Sequence, residues 1–201
     1  MPVNPSSNPS SSQAPVRPDP DALVAQLQAE QAQAARGKLR IYFGSNAGVG
    51  KTYAMLAAAQ RERQSGRAVL VGLVETHGRA ETEQQLHGLR QLPRKPLPYQ
   101  GRQLPEFDLD GALEQHPDVL LLDELAHSNV PGARHPKRWQ DVEELLDAGI
   151  NVWTTLNVQH LESLNDAVSG ITGVRVWETV PDEVFDAADE IILVDLSADE
   201  L

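Results

Sequence analysis

The chain has 201 residues, no cysteine and a formal charge of −12 at pH 7, from 29 acidic against 17 basic side chains. That length allows one α/β domain with its own core plus tails. The acidic balance argues against non-specific nucleic-acid binding, which needs a basic stripe, and against docking on an anionic membrane face. Without cysteine there are no disulfides and no thiolate metal sites, and no stretch reaches the ~18–20 apolar residues of a membrane span.

The opening MPVNPSSNPSSSQAPVRPDPD has neither a charged start nor an apolar block, so it does not read as a secretory signal, and a cytoplasmic location is expected. Residues 1–20, rich in Pro and Ser, bury too little surface to offset their chain entropy and are expected to be disordered. Residues 21–37 read as a short, weakly amphipathic helix. Asp21 caps it, Leu23 and Leu27 share a face, and Gly37 ends it.

Residues 38–201 alternate strand and helix. LRIYF (Leu39–Phe43) is β-rich, and residues 51–65 form a helix ended by Gly66. AVLVGLVE (Ala68–Glu75) is a near-continuous apolar run, as in a strand buried on both faces. Residues 80–90 read as helix, LPRKPLPYQGRQLPEF as a proline-broken connection, and DLDGALEQH as a short helix. DVLLLDE (Asp118–Glu124) is a second buried strand. KRWQDVEELLDAG is a helix with Trp139, Val142 and Leu146 on one face. NVWTTLN then reads as strand, HLESLNDAVSG as helix, and VRVWE and EIILVDL as closing strands. The alternation predicts an α/β fold: a three-layer, P-loop NTPase-like, mostly parallel sheet with helices on both faces.

The junction YFGSNAGVGKTYAML carries the chemistry. A strand feeding a glycine loop and a helix start makes an anion site, because the helix's first N–H groups are unpaired and carry partial positive charge. Gly48 and Gly50 let backbone N–H groups turn toward phosphate oxygens. Lys51 reaches the β- and γ-phosphates, and the Thr52 hydroxyl suits Mg²⁺. The chain departs from the pattern G-x-x-x-x-G-K-[ST] at its first glycine slot, which is Ser45; Gly44, one residue earlier, is expected to supply the turning freedom instead.

DVLLLDE ends in Asp123-Glu124, and a carboxylate at such a strand end faces the ligand crevice of a nucleotide-binding sheet. Asp123 is the expected Mg²⁺ ligand, direct or through water, and Glu124 the group that orients or deprotonates a water. The acidic pair also favours a strand inserted between the loop strand and the acidic strand. Glu75-Thr76-His77 lies at another strand end, and Asn157 is placed to sense a γ-phosphate or hold a water. The loop LAHSNVPGARHPKR carries Arg134, Lys137 and Arg138, which either stabilise transferred phosphate charge or form a solvated basic patch at a helix start. The six histidines show no metal-binding spacing and read as structural or solvated.

FGSNAGVGKTYAML, GLVETHGRAET, FDAADEIILVDL and the long block from Asp123 to Pro181 closely resemble the N-terminal cytoplasmic domain of the KdpD potassium-sensing histidine kinases, over roughly Pro18 to Leu201. That family's own loop also lacks the first glycine, and Gly44, Gly48, Gly50, Lys51 and Thr52 match its form G-x-x-x-G-V-G-K-T. The resemblance implies a regulatory ATP·Mg²⁺-binding module. Gly44, Ser45, Asn46, Ala47, Gly48, Val49, Gly50, Lys51, Thr52, Tyr53 and Asn157 would be around the nucleotide, and Thr52 and Asp123 at the metal. In the family this module precedes a universal-stress-protein-like domain, a four-helix membrane region and the transmitter kinase, and it influences kinase and phosphatase activity toward a response regulator. Histidine autokinase activity is not carried over, since the matching residues include no phospho-accepting histidine region. Three readings therefore stand. One is a nucleotide sensor whose partners are other domains of a parent kinase. The second is an enzyme in which Lys51 and Glu124 serve slow ATP hydrolysis or transfer to a protein Ser or Thr. The third is a scaffold that keeps the loop only as structure.

Overall fold

The computed structural model describes residues 20–173 and 176–195, so the Ser/Pro-rich stretch expected to be disordered lies, but for Pro20, outside the described residues. The chain divides into two units, Met1–Ala34 and Ala35–Leu201. The first carries helix α1 (Pro20–Ala35), which opens with Pro at its first position and Asp21 in its first turn, both favourable at an N-terminus.

The second unit is built on a six-stranded sheet. In chain order its strands are β1 (Leu39–Gly44), β2 (Val69–Leu73), β3 (Arg90–Gln91), β6 (Val119–Leu122), β7 (Asn151–Asn157) and β8 (Glu190–Leu193). A separate antiparallel pair is β4 (Lys95–Tyr99) and β5 (Arg102–Glu106). The helices are α2 (Lys51–Gln64), α3 (Ala80–Leu86), α4 (Leu109–Gln115), α5 (Arg138–Asp147), α6 (Glu162–Thr172) and α7 (Asp182–Asp186). The sheet order is β3-β2-β6-β7-β1-β8, and all its pairings are parallel. As expected, a strand (β7) stands between the glycine-loop strand β1 and the acidic strand β6.

Side-chain alternation along the central strands divides the core in two. Ile41, Leu70, Leu120, Leu122 and Val152 point to one face, where Val142, Leu145 and Leu146 of α5 and Ala112 of α4 cover them. Tyr42, Val69, Val71, Val119, Leu121 and Trp153 point to the other, under Met55, Leu56, Ala58 and Ala59 of α2 and Leu86 of α3. A sheet apolar on both faces needs helices on both, which gives the three layers.

Three expected segments differ. The helix expected over residues 80–90 ends at Leu86, and Arg90–Gln91 pair with β2 as the edge strand β3. The proline-broken connection contains the β4–β5 hairpin, with Pro96 opposite Pro105 and Pro98 opposite Gln103. Prolines have no N–H to give, but spaced two apart they occupy the pairs that need none. Lys95, Leu97 and Tyr99 then carry the ladder. The two-residue turn is Gln100-Gly101, with φ of 47° and 77°, the geometry of tight hairpin turns. The strand expected at VRVWE falls partly outside the described residues. Its described part, Val176–Glu178, is irregular, and pairing passes instead to a parallel bridge between Leu161 and Val180.

Candidate functional site at the C-terminal edge of the sheet

The parallel register brings Gly44 of β1 opposite Asn157 of β7, with Asp123 following directly on β6, so the C-terminal strand ends converge. Ligand crevices form at such edges, where loops leave the sheet in opposite directions.

After β1 the chain turns through Ser45, Asn46 and Ala47. Gly48 and Gly50 then adopt φ of 98° and 93°, which only glycine tolerates without strain. Gly50 is the N-cap of α2 and no side chain caps the helix. The first N–H groups of the helix therefore lie beside the crevice. Gly44 corrects the expectation attached to it. Its φ is not positive, so it adds no turning freedom. Its glycine is demanded by proximity, since a Cβ there would stand 2.4 Å from the Val194 carbonyl oxygen and 2.9 Å from Val49 Cγ2. Ser45 is exposed, and its hydroxyl reaches Asp195 at 3.4 Å. Val49 is buried and anchors the loop, while Tyr53 on the first turn of α2 is exposed.

Lys51 is only 7 % exposed, and its Nζ donates to the Asn46 carbonyl at 2.6 Å. Burial lowers its pKa; Asp123 acts the other way, and the nearby cation Arg79 lowers it further. Thr52 donates its hydroxyl to Asp123 Oδ2 at 3.1 Å. Asp123 is 1 % exposed. Desolvation raises its pKa, and hydroxyl donation from Thr155 and Thr52 opposes that rise. The Glu75 N–H (3.4 Å) and Glu124 N–H (3.1 Å) also donate to it.

Glu124 holds φ of +60°, an unfavourable setting for a residue with a Cβ. Its N–H is fixed by Asp123 and by Thr155 Oγ1 at 3.2 Å, which leaves its carboxylate to project. That carboxylate borders two cavities and lies 3.9 Å from His77 Nε2. One, of about 100 Å³, is lined by the glycine loop, Lys51, Thr52, Asp123 and Arg79. It shares Gly48, Gly50, Tyr53 and Arg79 with an open trough of about 490 Å³. The second, of about 90 Å³ beyond Glu124, is lined by His127, His160 and Glu178. Asn157 borders both small cavities, and its Oδ1 is buried without a hydrogen-bond partner among the described residues.

The bases of the following loop lie elsewhere. Arg134 pairs with Asp110 and Glu144, and Lys137 Nζ donates to Ser128 Oγ at 2.8 Å. Arg138 is 1 % exposed, donating to the Asp123 carbonyl at 2.7 Å with Glu106 at 3.5 Å. These are structural partnerships, so the loop's bases do not line the glycine-loop crevice. Three crevice residues escape the sequence reading, one of them Thr82 on the first turn of α3. Thr155 sits mid-strand in β7 and is identifiable only from the β6–β7 register, while Arg79 stands four residues past Glu75, outside any strand end.

A family model for the KdpD osmosensitive K+ channel His kinase sensor domain matches residues 35–201. The chain is 62 % identical over 187 residues to the sensor protein KdpD of Escherichia coli K12, covering 93 % of this chain and 20 % of that protein. It is 53 % identical over 185 residues to its namesake in Clostridium acetobutylicum, 92 % of this chain and 21 % of the other. The KdpD of Mycobacterium tuberculosis H37Rv is 51 % identical over 172 residues, 86 % of this chain and 20 % of that protein. The chain thus spans about a fifth of the length of these relatives.

Proposed function

The chain belongs to the KdpD family of osmosensitive K+ channel His kinase sensor domains, and on that premise we propose that it is a regulatory ATP·Mg²⁺-binding domain of a cytoplasmic-facing, potassium- and osmotic-responsive two-component sensor kinase. The observation that carries this reading is the Thr52 hydroxyl, 3.1 Å from the buried Asp123 carboxylate, next to Lys51 at the head of a glycine-turned helix. One hydroxyl and one carboxylate suit Mg²⁺, which keeps most of its waters and takes its other ligands from phosphates. Among the described residues no cluster of His, Cys, Asp or Glu could hold a metal by itself, so a cation here depends on the nucleotide. Bound Mg²⁺ would neutralise phosphate charge and offset the desolvation of Asp123.

The residues divide the work. Backbone N–H groups from Gly48 to Tyr53 meet the phosphates, with Gly44, Ser45, Asn46, Ala47 and Val49 shaping the turn. Lys51 exchanges its Asn46 carbonyl for a phosphate oxygen. Asn157 Oδ1 accepts from a water or a ligand group. Output runs through the segment from Leu125 to Arg138, because Arg138 ties the Asp123 carbonyl to Glu106, which also holds the Val130 N–H at 2.8 Å. A shift at Asp123 therefore reaches that loop, and through it other domains of a parent kinase or its response regulator.

Glu124 favours a second reading, as an enzyme. A carboxylate held in strained backbone between two cavities can take a proton from a water or from a protein Ser or Thr hydroxyl while the γ-phosphate is transferred. The discriminating experiment is phosphate release from ATP·Mg²⁺ by the wild type and Glu124→Gln, after matched binding titrations. The sensor reading expects equal binding and equal, background-level release. Release that disappears in Glu124→Gln with binding unchanged establishes the enzyme.

A further inference from the structure

Arg79 is the last residue before α3, in the loop that follows β2. Its guanidinium lies across the glycine loop, with Nη2 3.1 Å from where a Cβ on Gly48 would stand. It lines both the inner crevice with Lys51 and the outer trough with Tyr53. The backbone holds it there: the Arg79 N–H bonds the Thr76 carbonyl at 3.1 Å, and its own carbonyl accepts from Glu83 at 2.9 Å.

Arg36, Arg40, Arg67, Arg94, Arg134 and Arg138 each pair with a carboxylate. Among the described residues the guanidiniums of Arg61, Arg79 and Arg102 make no hydrogen bond or ion pair, and of these three only Arg79 lines the glycine-loop crevice. It faces a second cation instead, Lys51, and disfavours that ammonium's charge. The crevice also holds Glu75, Asp123 and Glu124, but at the glycine turn Lys51 and Arg79 stand beside the helix N–H groups, where a phosphate finds donors on both sides. A guanidinium fits phosphate oxygens with two parallel bonds where an ammonium offers a point charge.

We propose that Arg79 is a phosphate-binding residue of the nucleotide site, closing over the polyphosphate from the side opposite Lys51. The proposal rests on the ATP-binding reading above. It assigns Arg79 to the phosphates and not to the base, because the guanidinium lies over Gly48 in the turn of the loop.

Two probes separate these contacts: ATP·Mg²⁺, and inorganic tripolyphosphate with Mg²⁺, which has no nucleoside. Each is titrated calorimetrically into the wild type, Arg79→Ala, Arg79→Lys and Lys51→Ala. Arg79 is exposed and bonds through its backbone alone, so the alanine variant keeps its fold, checked by an unchanged melting temperature. Arg79→Ala should weaken both probes at least tenfold and by similar factors, with Arg79→Lys recovering part of each. A loss for ATP with tripolyphosphate unaffected makes Arg79 a nucleoside contact and overturns the proposal. Unchanged affinity for both probes also overturns it; if Lys51→Ala still weakens binding, the site reading survives. A wild type that binds neither probe overturns both.

Discussion

At the scale of single residues, three positions at the sheet edge combine demands that sequence patterns separate. Asp123 is legible as the end of an acidic strand, but its full burial follows from Thr155, whose hydroxyl donates to it from the neighbouring strand. Glu124 is legible beside it, but its φ of +60° is not, because nothing in Asp-Glu-Leu announces a left-handed residue. Gly44 is legible as a glycine near the loop while its reason is tertiary: the Val194 carbonyl approaches it as β8 leaves the sheet. Gly44→Ala should therefore destabilise the domain by about 1–3 kcal/mol, the cost of an overpacked contact against backbone that cannot swing away. Ser45→Ala, at an exposed position with one long hydrogen bond, should stay within about 0.5 kcal/mol. Chemical denaturation of both variants decides this, and equal midpoints would refute the close-approach account.

At the scale of elements, the hairpin β4–β5 and the loop before α5 share a buried polar network. Glu106, 2 % exposed at the end of β5, accepts the Phe107 and Val130 N–H groups at 2.8 Å each and faces Arg138 of α5. Asn129 donates to Asp141 at 2.6 Å and to the His135 carbonyl at 3.0 Å. Burial raises the Asp141 pKa to about 6, with Asn129 and His135 acting the other way. A carboxyl whose folded pKa exceeds its unfolded value favours the folded state while protonated. Its ionisation then costs stability as pH rises from about 4 through about 6. The full cost is about 3 kcal/mol, from a shift of about two units at ~1.36 kcal/mol each. Asp141→Asn keeps an acceptor for Asn129 and removes the ionisation. Its stability relative to the wild type should improve by up to about 3 kcal/mol between pH 4 and pH 7.5 in urea unfolding. A pH-independent difference would show that Asp141 titrates normally. None of this network was legible in the sequence, because the hairpin that delivers Glu106 was hidden by prolines usually read as strand breakers.

At the scale of the molecule, the sheet was the most legible feature. Apolar runs such as AVLVGLVE and DVLLLDE bury both faces, as the strands of a parallel sheet covered by helices on each side do. The glycine loop, Lys51, Thr52, Asp123, Glu124 and Asn157 all come to one edge of that sheet, as parallel strands entered in the same direction must place them. What local pattern could not supply was the register between strands, and with it Thr155, and the reach of the Arg79 side chain across the loop. Calorimetric titration of ATP·Mg²⁺ into the wild type and Lys51→Ala tests the central claim most directly. The account predicts stoichiometric binding to the wild type, weakened in Lys51→Ala by about 1.5–3 kcal/mol, the scale of a charge-assisted hydrogen bond. Equal affinity in the two proteins, or no binding to the wild type, would contradict it.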